Sequence, residues 1–205
     1  MKKHLLFLLF IIFSECTESN LAFHPGTNTS DGILKLVKNF GGSKNDVAKS
    51  VVSTLDGGFA VLGYTQSIDG DVTDKATEDY DFWMLKFDSE AQLEWNKTYG
   101  GSGDDRGSSI IETSDGGYAL LGYSDSTDGD VSSNNGNRDF WLVKINASGV
   151  LSWQKSFGYE GVDEGVSIIE TSDNHLMLSG VLDVTASGGE GNQGRFSTKH
   201  AGGDY

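Results

Sequence analysis

A chain of 205 residues with 15 Lys plus Arg against 30 Asp plus Glu carries a formal net charge of −15. Such a field makes nucleic acid and anionic membrane surfaces poor partners, because binding phosphate needs basic groups. A single proline among 28 glycines means that turns are built from Gly, Asn and Asp, and the one cysteine, Cys16, rules out an intrachain disulfide.

In chain order the first element is a targeting segment. Lys2, Lys3 and His4 precede the uninterrupted apolar run Leu5 to Phe13, and Ser14, Glu15 and Cys16 follow it. The run is far short of the roughly 20 residues a bilayer span needs, so residues 1–15 read as a signal peptide. A lone cysteine in this position resembles the lipid-modified cysteine of bacterial lipoproteins, although Glu15 departs from the small residue usual before it. The resemblance implies lipidation at Cys16, with residues 16–32 as a polar tether. Ordinary cleavage and secretion is the alternative.

From residue 33 onward the chain repeats itself. DGGFAVLGY at Asp56, DGGYALLGY at Asp115 and DNHLMLSGV at Asp173 start 59 and then 58 residues apart, and DFWMLKFD at Asp81 returns as DFWLVKIN at Asp139. A fixed period of this length means one stacked supersecondary unit that cannot bury its apolar face alone. Each unit reads as four strands. DFWLVKIN comes first, and LSWQKSF (Leu151 to Phe157) then places Leu151, Trp153, Lys155 and Phe157 on one face by period two. SIIET (Ser167 to Thr171) is the third strand and the GYALLGY type the fourth, entered through an Asp-Gly turn. Phe140 to Val143 is apolar on both faces, so each sheet is expected to be covered on both sides. Trp83, Trp95, Trp141 and Trp153 recur inside strands and are expected in the core rather than on a sugar-stacking surface.

These words, in this order and spacing, resemble a bacterial β-propeller repeat of large secreted and surface proteins. The resemblance spans residues 33–205, nearly all of the mature chain, and implies an all-β fold of four-stranded blades. The units fall at about 33–80, 81–138 and 139–203, and a further blade starts at Asp204 and Tyr205, which align with Asp139 and Phe140. About three blades fall short of the 4–8 that close a ring, so a truncated or open assembly is expected. The third unit departs from the pattern, with Tyr159 in the glycine turn, Asn174 and His175 in place of Gly-Gly, and no DGDV word before Gly203.

Chemistry-bearing patterns are few. The four histidines show no metal-ligand spacing, and nucleophile, base and orienter are not identifiable together, so no catalytic residue is assigned. The repeated loops Ser67 to Val72 and Ser126 to Val131 each carry Asp-Gly-Asp. Asp69, Asp71, Asp128 and Asp130 could offer oxygens to Ca²⁺, yet Asp and Gly are also what any tight turn selects. The reading that results is an exported, lipid-anchored surface protein of the outer membrane or cell surface, not itself an enzyme. It binds a protein or glycan and meets the membrane only through its anchor. The propeller part of a glycan-processing enzyme and a structural spacer are the alternatives.

Overall fold

A computed structural model describes residues 7–12 and 33–183, and these form strands without a helix. The strands are β1 (Phe7–Ile12), β2 (Ile33–Asn39), β3 (Asp46–Ser53), β4 (Phe59–Thr65), β5 (Asp81–Phe87), β6 (Leu93–Tyr99), β7 (Asp105–Glu112), β8 (Tyr118–Ser124), β9 (Asp139–Ile145), β10 (Leu151–Phe157), β11 (Glu164–Glu170) and β12 (Leu176–Val181). Two antiparallel four-stranded sheets, β3-β4-β5-β6 and β7-β8-β9-β10, are each flanked by a two-stranded one, β1-β2 before and β11-β12 after. Among the described residues the sheets do not close on themselves.

The tight turns follow from sequence. Gly57 and Gly116 stand at φ 87° and 77°, a conformation glycine adopts without steric cost. The neighbouring Asp56 and Asp115 accept the Gly58 and Gly117 N–H groups at 3.0 Å, closing each hairpin. A bulge recurs in β3, β7 and β11, between Ala48 and Ser50, Gly107 and Ser109, and Gly165 and Ser167. Opposite it in β8 lies Gly122, where a Cβ would collide with the Arg106 carbonyl. The strands approach too closely there for any side chain.

The core lies between sheets. β5 and β9 are buried at every position, so the expectation of sheets covered on both faces holds. Ala60, Leu62, Phe82 and Met84 of the first sheet meet Ile110, Tyr118, Leu120, Trp141 and Val143 of the second. Phe82 and Trp141 cross edge to face with ring centroids 4.7 Å apart. In the same sense, Ala119, Leu121, Phe140 and Leu142 pack against Ile168, Leu176 and Leu178 of β11-β12.

Three details differ from the sequence reading. The period in sequence and the sheet in space are out of phase by two strands, because β9 and β10 join β7 and β8 rather than β11 and β12. A bulge between Leu151 and Trp153 breaks the expected alternation in β10; Leu151 packs against the cluster between the two four-stranded sheets while Trp153 is 41 % exposed. Trp83 and Trp141 are fully buried and Trp95 is partly buried against the core, so Trp153 is the exception among the four. Finally, the apolar run read as lying outside the fold contains β1, which pairs in parallel with β2. An unpaired strand edge accepts any extended apolar segment.

Candidate functional site

The connections β4-β5 and β8-β9, together with the turns that lead into β3, β7 and β11, lie at one end of the sheets, and this end carries repeated layers of carboxylates. The loop carboxylates read as calcium candidates are here hydrogen-bond acceptors. Asp69 Oδ1 accepts the Ser43 N–H at 2.7 Å and Asp71 Oδ2 the Gly41 N–H at 2.9 Å. The second sheet repeats this: Asp128 Oδ1 accepts from Ser102 N–H at 2.7 Å and Asp130 Oδ2 from Gly100 N–H at 3.3 Å. The Ser43 N–H holds Asp69 below the usual carboxylate range, while burial pushes Asp130 upward. Each Asp-Gly-Asp loop thus clasps the glycine turn of its own sheet-to-sheet connection. Among the described residues no group of three or more His, Cys, Asp or Glu is arranged to hold a metal ion. Cys16 lies outside the described residues.

Beneath these loops sits a second layer of carboxylates. Asp46, Asp105 and Asp163 occupy the same place at the mouths of β3, β7 and β11 and are buried. Asp46 takes the Gly42 N–H and the Ser67 and Thr65 hydroxyls; Asp105 takes the Gly101 N–H and the Ser126 hydroxyl at 2.8 Å each. Asp163 accepts the Tyr159 and Asp183 N–H groups. Asp81 and Asp139, which open β5 and β9, lie against these. A methyl group on Gly100 would strike both Asp81 Oδ1 and Asp105 Oδ2, and one on Gly158 both Asp139 Oδ1 and Asp163 Oδ2. Buried carboxylates so close resist double ionisation. Burial raises Asp81 to about 7 even with Lys75 Nζ at 2.9 Å from its Oδ2, and it raises Asp105, Asp139 and Asp163 as well.

The exposed layer is aromatic and cationic. The Arg106 guanidinium lies 4.1 Å from the Tyr80 ring centroid and 5.0 Å from that of Tyr64, and it grips Asp104 with two hydrogen bonds of 2.7 and 2.9 Å. Burial opposes the charge of Arg106, but Asp104 outweighs it and the net shift is upward. Arg138 stacks 4.4 Å from Tyr123 and reaches Glu164 at 3.1 Å and Asp104 at 3.6 Å. Burial, reinforced by Asp104, keeps the Tyr123 phenol protonated well above its ordinary range. All five of these Tyr and Arg residues are half-buried.

Sequence reading singled out none of Tyr64, Tyr80, Arg106, Tyr123 and Arg138. The one signal it had was the tyrosine closing the repeated word at Tyr64 and Tyr123; the arginines occur once each and break the period. Comparison with protein-family models and with curated proteins gives no match for this chain.

Proposed function

We propose that this chain is an exported, lipid-anchored β-propeller-repeat protein that serves as a binding module at the cell surface, engaging a protein or glycan through the loop end of its sheets. The observation that carries the reading is the Tyr80–Arg106–Tyr64 and Arg138–Tyr123 arrangement. Tyr and Arg dominate recognition surfaces because they combine large rigid area with directed hydrogen bonding, and here both are pre-ordered by Asp104 and Glu164. The raised carboxyls Asp105, Asp139 and Asp163 are fully buried. They hold the loops, which favours binding over hydrolysis at this end.

The test is an array of glycans and surface proteins probed with the wild type and with Tyr80→Ala and Arg106→Ala. Signals lost in both variants, with unfolding midpoints retained, support the loop end as the site. Signals unchanged in both reject it. Anchoring has its own check. Metabolic labelling with a fatty acid should mark the wild type and not Cys16→Ser, and equal recovery of both in the soluble exported fraction would reject the anchor.

A further inference from the structure

The face of β3 that the β1-β2 pair leaves open and the outer face of β11-β12 are each other's complement. Ile110 and Ile168 hold the same place in β7 and β11 and are 4 % and 3 % exposed, each covered by the preceding sheet. Val51 holds that place in β3 and is 63 % exposed. At the other end, Ala60 and Ala119 are completely buried beneath the sheet that follows. Met177, their counterpart in β12, is 60 % exposed, and beside it Ile169 is 55 % exposed, where Val52 and Ile111 pack into the cores of the earlier sheets. One face lacks the surface that the other presents.

We propose that a second copy of this chain covers these faces head to tail, Val51 of one molecule seating on Ile169 and Met177 of the next. The contact continues the interface already present twice inside the chain, so its geometry is that of β7 on β3-β4 and of β11 on β7-β8. One internal feature is absent. Glu112 accepts the Leu55 N–H at 2.8 Å and Glu170 the Ser114 N–H at 2.7 Å across successive sheets, but Ser53 stands at that place in β3, so the intermolecular contact rests on apolar burial. A face-to-back contact is heterologous, and this sets it apart from two β12 edges pairing across a two-fold axis.

The experiment is sedimentation velocity on the full chain over a concentration series, for wild type, Val51→Lys, Met177→Lys and Ile169→Lys. All three substitutions are at exposed positions, and circular dichroism with thermal unfolding checks that each variant stays folded. The wild type should associate, and each lysine, left unpaired on burial, should weaken association about tenfold or more. An equimolar mixture of Val51→Lys and Met177→Lys, in which one undamaged pair of faces remains, should associate more tightly than either alone. A wild type that stays monomeric, association that ignores all three substitutions, or a mixture no tighter than its components would overturn the proposal.

Discussion

Trp141 and Trp153, in the neighbouring strands β9 and β10, have opposite surroundings: one is sealed between two sheets and hydrogen-bonds Gln154 at 3.0 Å, the other is 41 % exposed. Trp141→Ala should therefore cost about 3–5 kcal/mol in denaturant unfolding, and Trp153→Ala no more than about 0.5 kcal/mol. A second residue-scale expectation concerns Asp139. Its pKa is raised by burial and by Asp163, so the folded state holds a proton that the unfolded chain releases near the ordinary carboxylate value. That stability is complete below the unfolded pKa and drains away as pH climbs through the folded one. Asparagine needs no proton, so Asp139→Asn should gain on the wild type as pH rises from about 4 toward neutrality, read from unfolding curves at pH 4 and pH 8. A gap that stays constant would mean that Asp139 is ionised in the fold.

At the scale of elements, the repeated bulge and its facing glycine set the approach of the inner strands. Gly122→Ala should cost about 1–3 kcal/mol by overpacking, measured by thermal unfolding. The Asp-Gly-Asp loops act as clasps, so Asp128→Ala should lower stability by about 1–3 kcal/mol, to the same extent in chelator and in millimolar calcium. A wild-type midpoint that rises with calcium and not with magnesium would assign an ion to these loops. The strands themselves were legible in the sequence: the DFW runs, apolar on both faces from the Phe onward for four residues, became β5 and β9, and Asp-Gly marked the hairpins. The bulge in β10 was not, because Leu151 to Phe157 alternates cleanly and only pairing with β9 inserts the extra residue. The loop carboxylates were legible as positions but not as roles, since their partners Gly41 and Gly100 lie 30 residues away. Arg106 and Arg138 were invisible for a related reason: each stacks a strand on a connection, Arg106 of β7 on Tyr80 before β5 and Arg138 before β9 on Tyr123 of β8, which no local pattern announces.

For the whole molecule, stability is distributed along a one-dimensional stack in which each sheet leans on its neighbours. Strands β4, β5, β8 and β9 are buried between neighbours, whereas β12 has one hydrogen-bonded partner among the described residues and an exposed outer face. Hydrogen exchange should find the slowest amides in β5 and β9 and the fastest strand amides in β12; uniform protection would mean that the stack opens only as a single unit.

The half-unit offset between sequence period and sheet has an evolutionary reading. Because the periods 81–138 and 139–203 each donate two strands to one sheet and two to the next, a tandem duplication of one full period, begun at any codon, inserts one whole sheet and keeps each junction interlocked. An error of one residue within a strand would instead turn every later side chain of that strand to the opposite face. Selection on such a gene therefore tolerates gain or loss of entire periods while holding the length within each strand fixed, so sheet number is free to drift long before strand register is.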